Sequence, residues 1–308
     1  MKRIVVYGLG KNYKRYRRAI EKRCQIVAHC DRNSEKIKEF TDGITVEALA
    51  NNIANYDEIY VTASLLQVVP FLRNELHIPA EKIVAMETEP MAYGGGQGVS
   101  PCLQLYGGTK EAMVLQLLVR ELGLTPSELK YIEIGTNDPV RGNNSYFLYA
   151  AGARGLLVDP MPVVAETAKI FRPEDRFLHA AVTDIEKKPT ATFYESNTLS
   201  SSSLHENFQK DFAPSEKRHI TKSYEVRLIG INELIKEAGD CPDILLIDAE
   251  GEDDTIVRGI DYDKYRPKII MVEIDHCDEE ALVRFMMGKG YLWYTTVDYT
   301  NAIFVNED

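Results

Sequence analysis

The chain has 308 residues, 44% of them hydrophobic, and a formal net charge of −11 at pH 7. A chain of this size can bury one large core or two ordinary ones, and we expect two domains. The negative charge argues against a nucleic-acid partner, because duplex binding depends on phosphate neutralisation by Lys and Arg. The charge does not exclude a nucleotide ligand.

The five cysteines are odd in number and scattered, and they form no C-x-x-C pair with a second metal-spaced pair. This usage predicts reduced thiols in a cytoplasmic protein. The first apolar run, residues 4–7, is too short for a signal peptide and leads directly into Gly8. No run is long enough to span a bilayer, so we expect no membrane span.

Residues 1–88 predict a small Rossmann-like domain, because short apolar strands alternate with amphipathic helices. The predicted strands are 2–7, 25–29, 58–62 and 82–86, and the predicted helices are 12–23, 46–52 and 65–76. Gly8 and Gly10 follow the first strand as half of a dinucleotide fingerprint, but Tyr13 stands at the third glycine position. An NAD(P)-binding oxidoreductase built on these glycines and Asp31 is one alternative function.

The first helix is strongly basic, and Tyr13, Tyr16 and Ile20 share one of its faces. One interpretation is a solvated charged face above an aromatic packing stripe. The other is that Lys11 and Lys14, nearest the helix N-terminus, hold the pyrophosphate of a nucleotide-sugar. Residues 4–10, 28–33 and 56–64 resemble the small nucleotide-fold domain at the front of some bacterial sugar-modifying proteins.

Residues 89–108 are rich in glycine and show little periodicity. They predict a linker, with a lid over the neighbouring cleft as the alternative. The second domain is expected over residues 109–308, beginning with a helix that Thr109 caps and Gly123 ends.

Residues 130–160 predict a strand, a turn at Gly135, a helix and a second strand that ends in Asp159. A glycine at such a turn allows a ligand to approach the backbone, and the acid can accept both hydroxyls of a ribose. Glu133, Asp138 and Pro139 crowd the turn, so an anionic pyrophosphate would bind poorly there. A cofactor that carries an ammonium and a sulfonium fits better, because Glu133 could pair with the amino group.

An apolar strand at residues 243–247 delivers five carboxylates within seven residues, beginning with Asp248, to the same edge. They cannot all be buried unpaired, so some must face solvent, a metal or a substrate proton. The next strand, 268–273, presents Glu273, Asp275 and His276 at its end.

The remaining elements complete a second sheet. A third strand is expected at 177–182, strands at 192–194 and 224–228 flank a polar substrate loop or disordered stretch, and an antiparallel pair at 292–296 and 301–305 closes the sheet.

Five segments occur in order: EIGTN at 133–137, VDPMP at 158–162, AAVTD at 180–184, IDAEG at 247–251 and NAIFV at 301–305. On these residues the chain from about 109 to 305 is similar to the FkbM-type family of S-adenosylmethionine-dependent methyltransferases. The resemblance implies an α/β fold whose C-terminal unit is a seven-stranded, doubly wound methyltransferase-type sheet. It also implies O-methylation, often of a sugar hydroxyl. The cofactor-binding residues would be Glu133, Gly135, Thr136, Asn137, Asp159, Pro160 and Ala181.

Three positions depart from the family pattern: Glu133 where members have Asp, Pro139 where they have a second turn glycine, and Leu246 where they have a lysine. Pro139 stiffens the turn, and Leu246 removes a charge near the site. A non-catalytic protein that retains the cofactor fold is therefore a third alternative.

The catalytic candidates are Asp248, Glu250 and His276. In the expected mechanism the enzyme aligns sulfonium and hydroxyl for in-line transfer, and Asp248 or His276 removes the proton. Alternatively, Asp248 and Glu250 hold a Mg²⁺ that acidifies the hydroxyl. The acceptor is expected to be a small molecule or glycan, with a nucleotide-sugar among the options, and a homo-oligomer stays open.

Overall fold

The computed structural model describes residues 1–86, 109–183, 188–208 and 217–307. The predicted linker, with Cys102, lies outside the described residues, and so does Asp184. The chain forms two compact units. The first contains residues 1–86 with Asp138–Gly142 and Glu166–Phe171, and the second contains Thr109–Asn137, Asn143–Ala165 and the described residues from Arg172 onward.

The first unit contains a five-stranded sheet in the order β3-β2-β1-β4-β5, with every paired strand parallel. The strands are β1 (Lys2–Tyr7), β2 (Cys24–Cys30), β3 (Gly43–Ile44), β4 (Glu58–Val61) and β5 (Ile83–Ala85). The strand order reverses between β1 and β4, which places a crevice at their carboxyl ends. Strand β3 was not predicted, because two residues carry no periodic pattern.

The helices of this sheet are α1 (Lys11–Arg23), α2 (Ser34–Ile37), α3 (Val46–Asn51) and α4 (Leu65–Pro70). Helix α1 buries Tyr13, Tyr16 and Ile20, which confirms the predicted packing stripe. The single helix predicted at 65–76 is wrong. Helix α4 ends at Pro70, and Phe71–Glu75 continues as a π-helical turn, because proline has no amide hydrogen for the regular hydrogen-bond ladder.

The second unit contains a seven-stranded sheet in the order β14-β15-β13-β12-β6-β7-β8. Its strands are β6 (Lys130–Ile134), β7 (Arg154–Val158), β8 (Arg176–Leu178), β12 (Ile244–Ile247), β13 (Ile269–Glu273), β14 (Tyr291–Val297) and β15 (Asn301–Asn306). Strand β15 runs antiparallel to both of its neighbours, β13 and β14, and the other pairs are parallel. This arrangement confirms the predicted α/β fold and its antiparallel C-terminal pair.

The later helices are α5 (Lys110–Glu121), α6 (Tyr146–Ala150), α7 (Pro162–Phe171), α8 (Ile231–Ala238), α9 (Asp253–Arg258) and α10 (Glu279–Gly288). Among the described helices none is long and apolar enough to cross a bilayer. The central strands β6, β12 and β13 are covered on both faces, and their side chains form the main core.

The strand predicted at 177–182 is in fact two strands in different sheets. Strand β8 stops at Leu178, where the amide of Ala180 donates to the carbonyl oxygen of Leu178 at 3.1 Å and the chain turns. Strand β9 (Ala181–Val182) then joins β10 (Thr190–Ser196) and β11 (Ile220–Ile229) in a small sheet of order β10-β11-β9. The prediction failed because an apolar run does not show which strand it pairs with.

Candidate active site

The turn after β6 is built around Gly135, which has a φ of +76°. A Cβ at this position would lie 1.6 Å from the carbonyl oxygen of Asp248, so only glycine fits. The glycine is therefore required because the backbone at Asp248 lies so close. The sequence indicated a different reason, namely that a ligand approaches the backbone at this turn. The same contact holds the turn against the acidic loop after β12.

Asp159 ends β7 and is 2% exposed. Its Oδ2 accepts the amide hydrogen of Asn137, and its Oδ1 accepts that of Met161, both at 2.8 Å. Burial raises the pKa of Asp159 to about 7, against the lowering effect of these two hydrogen bonds. Each oxygen keeps a lone pair for a further donor.

A cleft of about 610 Å³ opens at this edge of the sheet, with its solvent-open part included. Its lining includes seven of the predicted residues: Gly135, Asn137, Asp159, Pro160, Ala181, Asp248 and Glu250. Other lining residues were not predicted as site residues: Met161, Phe193, Leu199, Ser200, Ser202, Leu204 and Glu252. Several of these belong to the polar stretch predicted as a substrate loop, and Ser202 and Leu204 also lie in a segment, 201–204, that matches the family pattern. No lysine or arginine is among the described lining residues.

Three carboxylates form a cluster at the carboxyl ends of β12 and β13. One ligand oxygen each from Asp248, Glu250 and Glu273 lies within 4.8 Å of the others. Burial raises the pKa of Glu250 to about 9, and the negative charges of Asp248 and Asp253 add to the rise. Burial also raises the pKa values of Asp248 and Glu273. The charges of Asp253 and Glu133 add to the rise for Asp248, and those of Asp248 and Asp253 add to the rise for Glu273. The cluster therefore retains protons near neutral pH or requires a cation.

Glu133 lies beneath the turn and is not among the described lining residues. Its Oε2 accepts hydrogen bonds from Asn143 Nδ2 and Ser145 Oγ, both at 2.9 Å, and lies 3.6 Å from Arg172 Nη1. The side chain of Arg172 is wholly buried, and its Nε also contacts Asp175 Oδ2 at 2.7 Å. This network was not predicted, because its members are far apart in sequence.

Two further predicted residues lie away from the lining. Thr136 is buried, and its hydroxyl lies 3.5 Å from the carbonyl oxygens of Glu133 and Val158. His276 is exposed, and its ring contacts the Phe208 ring edge-on with centroids 4.7 Å apart. The structure thus gathers the two carboxylate candidates in the cleft but leaves the imidazole outside it.

A model of the methyltransferase FkbM domain matches residues 133–292, which is more than half of the chain. The chain belongs to the FkbM methyltransferase family. The family predicted from the ordered motifs is thereby confirmed, and the chain is an S-adenosylmethionine-dependent methyltransferase.

Three solved structures are similar to the chain. One is a 1,6-didemethyltoxoflavin-N1-methyltransferase from Burkholderia thailandensis with bound 1,6-didemethyltoxoflavin and S-adenosylhomocysteine, at 11% identity over 65% of this chain and 78% of that chain, with a TM-score of 0.32. The second is a TehB-like S-adenosylmethionine-dependent methyltransferase from Corynebacterium glutamicum. It has 15% sequence identity over 66% of this chain and 89% of that chain, with a TM-score of 0.31. The third is an O-methyltransferase from Bacillus cereus in complex with S-adenosylhomocysteine. It has 13% sequence identity over 79% of this chain and 90% of that chain, with a TM-score of 0.33. No curated protein matches the chain.

The contact between Gly135 and Asp248 can be tested by substitution. We expect Gly135→Ala to lower the free energy of unfolding by roughly 3 kcal/mol or more, because the new Cβ overlaps a backbone oxygen. The matched control is Gly123→Ala, since Gly123 also has a positive φ of +65° but open space around its Cα. The control should cost only about 1 kcal/mol in urea titrations. Equal losses in the two variants would mean that backbone strain, rather than the overlap, decides the effect.

The carboxylate cluster should make the stability of the protein fall as the pH rises. Because the folded pKa values are raised above the unfolded ones, the folded state binds more protons between about pH 4 and the raised values, and stability falls as pH rises through that window. In Asp248→Asn one charge is absent, so we expect its melting temperature to exceed that of the wild type by a few degrees at about pH 9, and by less at about pH 6.

These melting temperatures are measured in EDTA so that no metal ion neutralises the cluster. The control is Asp254→Asn. Asp254 forms an ion pair with Arg258 at 2.7 Å, so neutralising it should lower the stability of the protein. A gain for Asp248→Asn that does not grow with pH would contradict the prediction.

Proposed function

We propose that this methyltransferase acts on a hydroxyl oxygen of a neutral sugar or glycan. The observation that supports the proposal most directly is that Asp248 and Glu250 line the same cleft as Asp159 and the Gly135 turn. Cofactor-binding groups and proton acceptors thus share one space. The ionised form of a carboxyl group with a raised pKa is a stronger base than an ordinary carboxylate.

The lining suits S-adenosylmethionine. The remaining lone pairs of Asp159 would accept the ribose hydroxyls, and Gly135, Asn137, Pro160 and Ala181 would surround the cofactor. Acidic side chains with no lysine or arginine among the described lining residues favour a ligand that carries a sulfonium and an ammonium. When bound, the cofactor supplies an electrophilic methyl group on sulfur.

Glu133 would act indirectly on the cofactor. Because its carboxylate accepts hydrogen bonds from Asn143 and Ser145, it holds the segment that follows the turn. Thr136 would likewise support the turn from its buried position.

The chain's own residues would align the acceptor and take its proton. An oxygen of Asp248 or Glu250 would accept the hydroxyl hydrogen as the acceptor oxygen forms its new bond to carbon. Because burial raises the pKa of Glu250 to about 9, the ionised form that can accept the proton is the minor form at neutral pH and becomes the major form above about pH 9. The proton leaves to solvent when the carboxylate ionises again.

The polar lining favours a sugar as the acceptor. Asn137, Ser200, Ser202 and Glu252 add amide, hydroxyl and carboxylate groups that can bind sugar hydroxyls. The absence of lysine and arginine among the described lining residues disfavours a phosphate in this cleft. If the acceptor is a nucleotide-sugar, its diphosphate must therefore bind elsewhere.

A Mg²⁺ site is a second proposal, favoured by the cluster of Asp248, Glu250 and Glu273. Carboxylate oxygens are the ligands that Mg²⁺ prefers, and a bound ion would acidify the acceptor hydroxyl. Dialysis against EDTA tests it. A loss of methyl transfer of tenfold or more that Mg²⁺ restores would support the ion, whereas unchanged turnover would mean that an ionised carboxylate of the cluster acts as the base without an ion.

The ionisation of Asp159 should control cofactor affinity. Only the ionised carboxylate offers lone pairs on both oxygens, so we expect S-adenosylhomocysteine to bind about tenfold more weakly near pH 6 than near pH 8. Titration calorimetry measures the difference. Asp159→Asn should bind more weakly at both pH values and show no such dependence. A wild-type affinity that stays constant across this range would contradict the role of Asp159.

The base can be identified with a panel of neutral glycosides and nucleotide-sugars, assayed with methyl-labelled S-adenosylmethionine. We expect Asp248→Asn or Glu250→Gln to lower kcat by about 10²- to 10⁴-fold, because general base catalysis is lost. The binding of S-adenosylhomocysteine should remain. Asp254→Asn is the matched control and should keep wild-type kcat.

His276→Gln tests the alternative base. If this variant alone loses the activity, the imidazole is the base, despite its exposed position. If no hydroxyl acceptor in the panel is methylated while S-adenosylhomocysteine still binds, the sugar proposal fails and the cofactor assignment stands.

A further inference from the structure

A second cleft, of about 910 Å³ with its solvent-open part included, lies wholly within the first unit. It is formed at the carboxyl ends of β1 and β4, where the strand order of the parallel sheet reverses. Ligands of open α/β sheets bind at such points. The lining residues are Tyr7, Gly8, Gly10, Lys11, Asn12, Asp31, Arg32, Lys36, Thr62, Ala63, Gln67 and Val68.

The N-terminus of α1 contributes to this cleft through Gly10, Lys11 and Asn12. Gly10 is the N-cap, no side chain caps the helix, and its first turn contains no acidic residue. The first amide hydrogens of a helix have no partner within it, and they carry partial positive charge. A Cβ on Gly10 would meet nothing within 4 Å, so the backbone is open to a ligand.

The hydroxyl of Tyr7 is an independent sign of a ligand. Tyr7 is 2% exposed and lines the cleft, yet its hydroxyl hydrogen has no acceptor in the described part of the chain. Burial raises its pKa, while the nearby Arg32 guanidinium, which can only donate a hydrogen bond to the hydroxyl oxygen, acts in the opposite direction through that bond and its charge. The hydroxyl therefore stays protonated near neutral pH and can donate to a ligand oxygen. A buried donor without an acceptor is destabilising, and a bound acceptor would remove that penalty.

The charges of the cleft also favour an anion. Lys11, Arg32 and Lys36 are set against the single carboxylate of Asp31, although the whole chain carries −11. Lys36 Nζ lies 3.3 Å from Asp31 Oδ2, and the guanidinium of Arg32 lies 4.1 Å from the centroid of the Phe71 ring. Arg32 and Lys11 are therefore left with no carboxylate partner among the lining residues.

We propose that this cleft binds an organic phosphate, such as a nucleoside diphosphate or a sugar phosphate, with its phosphate at the N-terminus of α1. The amide hydrogens of that turn, Lys11, Arg32 and the Tyr7 hydroxyl would donate to the phosphate oxygens. The site is independent of the methyl-transfer cleft and does not rest on the proposed acceptor.

The binding mode differs from that of a dinucleotide. The oxygens of Asp31 already accept the amide hydrogens of Leu9 at 2.7 Å and Asn33 at 2.9 Å, as well as the Lys36 contact. They are poorly placed to hold a ribose diol as well. Tyr13 lies in the core with its hydroxyl 2.6 Å from His29 Nε2, so a third fingerprint glycine is absent. Lys14, which the sequence grouped with Lys11, is not among the described lining residues.

Titration calorimetry of the full chain at low ionic strength tests the proposal. The probes are inorganic pyrophosphate, ADP, UDP, glucose 1-phosphate and NAD⁺. We expect binding of at least one phosphate probe, with Lys11→Gln and Tyr7→Phe each weakening it about tenfold. Tighter binding of ADP or UDP than of glucose 1-phosphate would identify a nucleotide, and the reverse order would identify a sugar phosphate.

Two controls separate the site from general charge effects and from misfolding. Lys22→Gln removes the same charge from the exposed far end of α1 and should bind like the wild type. Gly10→Leu should fold, because Gly10 has a φ of −85° and free space around it, and should abolish binding by filling the cleft. Tyr7→Phe should melt at the same temperature as the wild type or higher.

Four outcomes would overturn the proposal. They are no binding of any phosphate probe, an equal loss in Lys22→Gln, unchanged binding in Gly10→Leu, and a lower melting temperature for Tyr7→Phe, which would show that the hydroxyl has an internal partner. NAD⁺ binding far tighter than that of ADP would replace the proposal with the dinucleotide alternative. S-adenosylhomocysteine affinity should not change in any of these variants, so failure here is distinguishable from failure of the methyl-transfer proposal.

Discussion

The contact between the backbone of Gly135 and the carbonyl oxygen of Asp248 is the constraint on which the candidate site depends. It leaves no room for a side chain, and it fixes the carboxyl end of β6 against that of β12. The turn that is expected to bind the cofactor and the loop that carries the acids therefore lie at one edge of the sheet. Asp159 completes this edge, because the amide of Asn137 in the turn donates to it.

The acidic cluster is the electrostatic consequence of that packing. Asp248, Glu250 and Glu273 are delivered by two adjacent parallel strands, and burial together with their mutual repulsion raises their pKa values. Such an arrangement is unfavourable for folding, and the ionised carboxylates that it produces are stronger bases than ordinary ones. A cationic cofactor would relieve part of the repulsion.

The carboxylate of Glu133, beneath the turn, is paired with a positive charge. Leu246 is the register neighbour of Glu133, so a lysine there, as in other members of the family, would lie beside that carboxylate. In this chain the wholly buried guanidinium of Arg172 lies 3.6 Å from Glu133, and Asn143 and Ser145 donate to it. A buried carboxylate needs such partners, since an unpaired one would cost several kcal/mol. The departure at Leu246 thus coincides with another source of positive charge.

The sequence alone determined the alternation of strands and helices, the family and the acids that follow strands, because periodicity and residue order are local properties. Asp159, Asp248 and Glu250 were found in this way, and all three line one cleft. Only the tertiary structure showed that residues 177–182 divide between two sheets, that Glu133 faces Arg172 beneath the turn, and that His276 lies outside the cleft. It alone revealed that the buried hydroxyl hydrogen of Tyr7 has no acceptor in the described part of the chain. These features depend on which distant residues meet, and strand pairing and burial decide that.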